Sequence, residues 1–131
     1  MSLDWDLIDG LKENMKRIAA LGLEVQITEL DISCAGYPNY NCGSWTETEM
    51  ATQAALYGSL LQACLDEPAC TDFETWGFTD KYTWMTSVAG SNQHPLPYNE
   101  TFAPKPAFDS LLSTLENSTG NSPASALAQL Y

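Results

Sequence analysis

The sequence of 131 residues predicts a single α/β domain in which helices and strands alternate along the chain. Apolar residues recur at helical spacing in three segments, which cover residues 3–21, 46–65 and 104–117. Two runs rich in β-branched and aromatic residues lie between them, at residues 24–32 and 71–80. Alternation of this kind predicts parallel strands, and two such strands alone would leave both sheet edges unpaired. The pattern is therefore typical of the last part of a larger parallel sheet.

The first helix is predicted from apolar residues that recur at intervals of four, four and three positions: Leu7, Leu11, Met15 and Ile18. Charged side chains occupy the opposite face, and Gly22 follows the predicted end of the helix. A glycine turn after a helix leads directly into the first strand, so these segments form one helix–strand unit.

The first strand, EVQITELDI, ends in an unusual pattern of acids. Alternate side chains of a strand share a face, which here groups four residues: Val25, Ile27, Glu29 and Asp31. Two carboxylates on one face are costly in a core unless they are paired, which indicates a site at the strand end. The alternative is that both acids lie on the solvent face of an edge strand.

The loop at residues 33–44 follows these acids and is rich in Gly, Pro, Asn and Ser. Its Tyr37 and Tyr40 are candidates for ligand contact, because loops after strands often carry binding residues in α/β proteins. The alternative is that both tyrosines are surface aromatics of the loop. The second helix then begins at a capping box formed by Thr46 and Glu49.

The second strand is predicted to run into a long loop that carries aromatic residues. Trp76, Phe78 and Asp80 would share one face of this strand, and residues 81–85 would extend it. Trp76 and Trp84 are candidates for stacking on sugar rings, since aromatic faces bind the apolar faces of such ligands. The alternative is that one or both belong to the core.

The third helix begins with proline in its first turn and is the last predicted element. The residues after it contain Ser, Gly and Pro, which indicates a tail or the beginning of a linker. We therefore divide the chain into a folded part at residues 1–118 and a tail at residues 119–131.

The acidic composition excludes some partners. Acidic residues number 17 against five basic ones, for a formal net charge of −12. Nucleic acids and anionic membranes are bound by clustered Lys and Arg, so we expect neither as a partner. Four Trp, six Tyr and four Phe are compatible with a neutral, ring-shaped ligand such as a sugar, although an ordinary acidic protein has the same composition.

The four cysteines are more consistent with disulfides than with a metal site. No CxxC motif is present and the one histidine is distant from the cysteines in sequence, so we expect neither a metal nor another cofactor. Proximity favours the pairs Cys34–Cys42 and Cys64–Cys70, although four cysteines allow three pairings.

Two sequons, at Asn99 and Asn117, are candidates for N-glycosylation. Together with the cysteines they indicate a secreted, extracellular protein. The first ten residues do not form a signal peptide, so we expect that the natural N-terminal part is missing.

Three segments resemble the C-terminal part of glycoside hydrolase family 10, the endo-β-1,4-xylanases built on an eight-stranded (β/α) barrel. AALGLEVQITELDI resembles the seventh strand with its preceding helix, TWGFTDKYTWM the eighth strand and its loop, and PLPYNETFAPKPAF the segment into the last helix. The resemblance covers residues 3–115 and implies a partial TIM barrel of about the last two to three βα units, from helix 6 to helix 8. The spacing of Cys64 and Cys70 also resembles a short disulfide of fungal members.

The resemblance implies a retaining mechanism that acts on xylan or xylo-oligosaccharides. Glu29 would be the nucleophile, and Asp31 would orient the site through a histidine of the preceding strand. Trp76 and Trp84 would line the subsites beside the scissile bond.

The family places its acid/base glutamate on a fourth strand, which this sequence lacks. Asp31 is a poor substitute for it, because residues two apart on a strand are separated by about 6.5 Å and lie on the same side of the sugar. We therefore expect a truncated chain that hydrolyses xylan weakly or not at all by itself. The alternative is a non-catalytic xylan-binding or accessory module whose exposed strand edges pair in a homo-oligomer.

Overall fold

The computed structural model describes residues 5–33, 45–90 and 93–119, and it confirms the predicted α/β class. In chain order the elements are α1 (Trp5–Ala19), β1 (Val25–Leu30), α2 (Glu47–Asp66), β2 (Cys70–Thr75), a 3₁₀ turn (Asp80–Tyr82), α3 (Met85–Ala89) and α4 (Pro106–Thr119). Several predictions fall outside the described residues, namely those on Cys34, Tyr37, Tyr40, Cys42 and the tail from residue 120. None of the described helices is long and apolar enough to cross a membrane.

The two strands pair in parallel, as the helical crossover between them requires. Val25 pairs with Cys70 and Leu30 with Thr75, so the strands begin and end together. The ladder continues for one more bond, in which the Trp76 amide donates to the Leu30 carbonyl at 3.3 Å. Within the described residues each strand has one neighbour, and each therefore keeps a free edge.

The core lies where α2 and α4 cover the residues after β1. Its buried members are Ile32, Tyr57 and Ala107, and leucines at positions 30, 56, 60 and 111 pack around them. The two helices approach closely at Gly58, where an added Cβ would lie 2.5 Å from Ser110 Oγ. A side chain at this position would force Ser110 to change its rotamer or α4 to shift, so glycine favours the observed packing.

Both ends of α2 are fixed as the sequence predicts. At the start, Thr46 Oγ1 accepts from the Thr48 amide at 3.2 Å, and Glu49 Oε2 accepts from the Thr46 amide at 3.0 Å. At the end, Cys64 and Cys70 form a disulfide with an S–S distance of 2.09 Å. The predicted pair Cys64–Cys70 is therefore confirmed, and it ties the last turn of α2 to the first residue of β2.

The prediction that the second strand extends to Asp80 is wrong, because the strand ends at Thr75. Gly77 has a φ of 105°, a conformation that side chains rarely adopt, and it turns the chain out of the sheet. Trp76 and Phe78 are consequently 50% and 56% exposed, whereas Asp80 is buried at 3%. The three residues therefore do not share one face of a strand.

Two further details differ from the sequence prediction. Residues 81–85 do not extend the strand, because they complete the 3₁₀ turn and lead into α3. Among the α1 side chains that the structure describes, Ile8 and Met15 are buried, whereas Leu7 is 60% exposed. The apolar stripe of α1 is thus rotated by about one residue relative to the predicted one, since consecutive helical residues point about 100° apart.

Candidate active site

Glu29 lies at the carboxyl end of β1, next to an irregularity in the pairing of the two strands. Ile27 pairs with Phe73 and Leu30 with Thr75, so β1 carries one residue more than β2 over this interval. Such a bulge interrupts the alternation of side chains, and both Thr28 and Glu29 are exposed. The bulge therefore leaves the Glu29 carboxylate open to solvent, where a ligand can reach it.

Asp31 follows Glu29 by two residues but is partly withdrawn from solvent. Trp84 Nε1 donates a hydrogen bond of 2.6 Å to Asp31 Oδ2. The other oxygen, Oδ1, is buried and has no hydrogen-bond partner among the described residues. Burial raises the pKa of Asp31 above its ordinary value, and the bond from Trp84 opposes that rise. An incompletely bonded carboxylate of this kind is typical of a site rather than of a packed core.

The two tryptophans belong to the surface of this region. Trp84 is 48% exposed and Trp76 50%, so the alternative in which they fill the core does not hold. The hydrogen bond from Trp84 to Asp31 connects the segment after the 3₁₀ turn to the end of β1. Trp76 is held at the same end of the sheet by the hydrogen bond that its backbone amide donates to the Leu30 carbonyl.

The structure therefore places four of the predicted site residues at one end of the sheet, where β1 and β2 both terminate: Glu29, Asp31, Trp76 and Trp84. This end of the sheet combines an exposed carboxylate, a half-buried carboxylate and two aromatic faces. Such a set can position a neutral ring-shaped ligand by stacking and can present a nucleophilic oxygen to it. Tyr37 and Tyr40 lie outside the described residues, so their relation to this end of the sheet stays a prediction.

The sequence did not predict a buried polar network that is centred on Lys105 and Asp80. Lys105 Nζ donates three hydrogen bonds, to Asp80 Oδ2 at 2.9 Å, to the Leu96 carbonyl at 2.7 Å and to the His94 carbonyl at 2.8 Å. Asp80 Oδ1 accepts from the Leu96 amide at 2.8 Å. Burial raises the pKa of Asp80 and lowers that of Lys105, and their mutual attraction opposes both changes. The one sequence signal was a lysine between two prolines at the start of the last helix.

Part of the same network could in principle bind a cation. Ligand atoms of Asp80, His94 and Glu100 all lie within 4.8 Å of one another. His94 Nδ1, however, is 2.9 Å from a Glu100 oxygen, and the Lys105 ammonium already contacts Asp80. A positive side chain at the buried ligand disfavours a second cation there, so we interpret the cluster as an ion-pair network.

Parallel strands joined by a helix, with carboxylates and aromatic side chains at their carboxyl ends, are typical of part of a (β/α) barrel. Solved structures agree with this class. Xylanase 10B from Thermotoga maritima superposes with a TM-score of 0.78 at 30% identity, over 92% of this chain and 35% of that chain. Xylanase 10B from Thermotoga petrophila in complex with xylobiose gives a TM-score of 0.69 at 32% identity, over 84% of this chain and 32% of that one.

The family model for glycosyl hydrolase family 10 matches residues 2–114, so the chain belongs to that family. Endo-1,4-beta-xylanase B of Thermotoga neapolitana is 33% identical over 108 residues, which is 82% of this chain and 30% of the relative. The chain thus spans about a third of the length of the relatives it matches. The fold is accordingly part of a TIM barrel, as the resemblance implied.

Proposed function

We propose that this chain forms the nucleophile side of a xylan-cleaving site. The observation that carries the proposal is the hydrogen bond of 2.6 Å between Trp84 Nε1 and Asp31 Oδ2, beside the exposed Glu29 carboxylate. This bond holds an aromatic face next to two carboxylates at the end of a barrel strand. Xylanase relatives and a neighbour in complex with xylobiose support xylan as the substrate class.

In this proposal Glu29 attacks the anomeric carbon and forms the covalent glycosyl-enzyme of a retaining mechanism. Its exposure allows a sugar to approach, and the bulge in β1 turns it out of the sheet. Asp31 holds Trp84 with one oxygen, and its second oxygen, which has no partner among the described residues, accepts from and orients a neighbouring donor in the complete site. Trp76 and Trp84 stack on sugar rings on either side of the scissile bond.

Retaining hydrolysis needs a second carboxyl group about 5–5.5 Å from the first, on the other side of the bond. Asp31 follows Glu29 on the same strand and engages Trp84, so it is badly placed for protonating a leaving group. We therefore propose that the chain alone binds xylo-oligosaccharides and hydrolyses them weakly or not at all.

The test is a titration of the purified chain with xylohexaose, followed by tryptophan fluorescence and by release of reducing sugar. Trp84→Ala is expected to weaken binding about fivefold to tenfold, because one aromatic stacking contact contributes about 1 kcal/mol. Leu23→Ala is the matched control, since Leu23 is an exposed apolar residue at the opposite end of β1. Glu29→Gln should leave binding nearly unchanged, because it keeps the shape of the side chain.

Two results would contradict the proposal. Equal affinity of the wild-type chain, Trp84→Ala and Trp76→Ala would show that the tryptophans contact no sugar. Rapid release of reducing sugar, abolished by Glu29→Gln, would show that the chain contains its own acid/base group.

A second candidate is a binding module that assembles through its sheet edges. β2 has a free edge, and it lines an apolar groove of about 390 Å³ together with α2 and α4; the apolar lining includes Leu61, Leu65, Phe73, Leu111 and Leu115. Exposed edges next to apolar surface favour association. Size-exclusion chromatography with light scattering distinguishes an assembling module from a monomer. A chain that stays monomeric at about 100 µM, a concentration at which weak dimers form, would exclude this candidate.

A further inference from the structure

A group of exposed aromatic rings lies on the segments around the 3₁₀ turn, and none of its residues belongs to the proposed sugar site. We call it the Phe102 patch; it consists of Phe78, Tyr82 and Phe102, which are 56%, 72% and 45% exposed. The ring centroids of Phe78 and Phe102 lie 6.1 Å apart, and those of Tyr82 and Phe102 6.4 Å apart. Contiguous exposed aromatic surface usually marks a contact with something else.

The turn that carries Phe102 is held rigidly although the side chain is exposed. Phe102 has a φ of 64°, a left-handed conformation that is rare for a bulky residue. Its amide donates to the Asn99 carbonyl at 3.0 Å, and the Asn99 amide donates to the Ala103 carbonyl at 2.9 Å. The turn is anchored inside by Thr79, whose hydroxyl donates to the same Asn99 carbonyl at 2.7 Å. Strain of this kind persists where the surroundings fix it, and it often accompanies function.

The same turn contains a glycosylation sequon, Asn99-Glu100-Thr101. Asn99 Oδ1 accepts three hydrogen bonds of 2.9 Å each, from the Thr101 amide, the Thr101 hydroxyl and the Ala103 amide. These donors fix the carboxamide with Oδ1 towards the turn. Nδ2 lies on the other side of the planar amide, makes no hydrogen bond to the described residues and is not a buried atom. Asn99 is half-buried, so the nitrogen that accepts a glycan is not enclosed, and Phe102 lies three positions further along the chain.

We propose that Asn99 is N-glycosylated and that the first N-acetylglucosamine of its glycan packs on the Phe102 patch. The co-reactant is a lipid diphosphate-linked oligosaccharide. The bond from its anomeric carbon to the diphosphate oxygen breaks, a bond from that carbon to Asn99 Nδ2 forms, Nδ2 loses a proton, and the lipid diphosphate leaves. Lys81 Nζ lies 4.9 Å from the centroid of the Phe102 ring and 5.4 Å from that of Tyr82. The apolar face of the sugar then covers the part of the aromatic surface that Lys81 leaves exposed.

The second sequon provides an internal comparison. Asn117 lies near the end of α4 and is exposed, and no aromatic ring of the described residues is within three positions of it on the helix. A glycan there would extend into solvent. The structure thus assigns a packing role to the Asn99 glycan and none to that of Asn117.

The experiment compares the full chain from two hosts, in an Asn117→Gln background. A eukaryotic secretory host, with a cleavable leader, supplies the glycosylated chain, and a bacterial periplasm supplies the same sequence without glycan but with its disulfide. An endoglycosidase trims the glycan to one N-acetylglucosamine. We expect peptide mass spectrometry to find Asn99 occupied, and the trimmed chain to melt about 3 °C higher than the bacterial chain. The N-acetyl methyl resonance should show an upfield ring-current shift.

Phe102→Leu is the deciding variant, because it keeps an apolar side chain and removes the ring. We expect it to lose both the melting difference and the methyl shift, and Tyr82→Leu to reduce both. The proposal is overturned if Asn99 is unmodified in a wild-type chain whose Asn117 is modified. It is equally overturned if Phe102→Leu retains the full melting difference. Xylohexaose binding by the bacterial chain is independent of these outcomes, so the two proposals fail separately.

Discussion

Asp31 and Asp80 are two partly or wholly buried aspartates whose surroundings differ. In both, burial raises the pKa of the carboxyl group. Asp80 is paired with Lys105 at 2.9 Å and accepts a backbone bond from Leu96 through its other oxygen. Asp31 accepts one bond, from Trp84, and its other oxygen is buried without a partner among the described residues.

The two regions therefore differ in whether the hydrogen bonds and charges of the buried carboxylate are satisfied. The Asp80 network has charge balance and a partner for each oxygen, which is how proteins tolerate buried ions. Through Lys105 it joins Asp80, at the start of the long segment between β2 and α4, to His94 and Leu96 further along that segment. The Asp31 region has an excess of acceptors and exposed aromatic faces, which is how a site looks before its ligand or a further part of the protein is present.

α2 connects the two regions. The Gln53 amide donates to the carbonyls of Ile32 and His94, and the Tyr57 hydroxyl donates to the Pro95 carbonyl at 2.6 Å. Gln53 and Tyr57 are both fully buried. The position of the Asp31 strand end therefore depends on the segment that Asp80 and Lys105 stabilise.

The largest expected effect is that of Asp80→Asn. It removes the charge that balances Lys105 and leaves a buried ammonium group without a counter-ion, which costs about 3–5 kcal/mol. Urea unfolding of the purified chain measures the loss. Asp9→Asn, at an exposed position of α1, is the matched control and should change the free energy of unfolding by less than about 0.5 kcal/mol.

The double variant Asp80→Asn with Lys105→Met tests the cause of that loss. Removal of both charges leaves no buried ion, so the double variant should be more stable than Asp80→Asn alone. If it is less stable by the sum of the two single effects, the pair does not interact and the comparison with Asp31 has no basis.

Tyr57→Phe is expected to have a smaller effect on the connection between the regions. It removes one buried hydrogen bond and keeps the ring that packs in the core, so the cost is about 1–2 kcal/mol. The variant should also weaken xylohexaose binding slightly, because the Ile32 strand end loses support. Stability equal to that of the wild-type chain would show that the bond contributes nothing, because the Pro95 carbonyl still accepts from the Ile32 amide at 3.3 Å.

Much of the fold followed from the sequence, because local chemistry fixes those features. The capping box of Thr46 and Glu49, the helix–strand order and the Cys64–Cys70 disulfide depend on residues close in the chain. The predicted end of β2 was wrong because the backbone conformation of Gly77 ends the strand despite the β propensity of Phe78 and Thr79.

The candidate site was predicted in part for the same reason. Glu29 and Asp31 were found from alternation, although the bulge in β1 was not visible in the residue pattern. The bond between Asp31 and Trp84 joins residues 53 positions apart, and that between Lys105 and Asp80 joins residues 25 apart. Single-sequence patterns carry no information about such pairings, because they depend on the path of the chain in space.

The smallest and most discriminating prediction is that Asp31→Asn stabilises the chain, opposite in sign to the same change at Asp80. Burial raises the pKa of Asp31 above its ordinary value of 3.8, so the folded chain keeps this proton to a higher pH than the unfolded chain does. The native state then binds more protons, and the stability due to Asp31 falls as pH rises from 3.8 through the raised pKa.

Asn carries no charge and still accepts from Trp84. We expect equal stability of both chains below about pH 4 and a gain of no more than about 1 kcal/mol for Asp31→Asn at pH 7, measured by urea unfolding across that range. A loss of stability at pH 7 comparable to that of Asp80→Asn would mean that Asp31 has a cationic partner and that its region is as complete as the other.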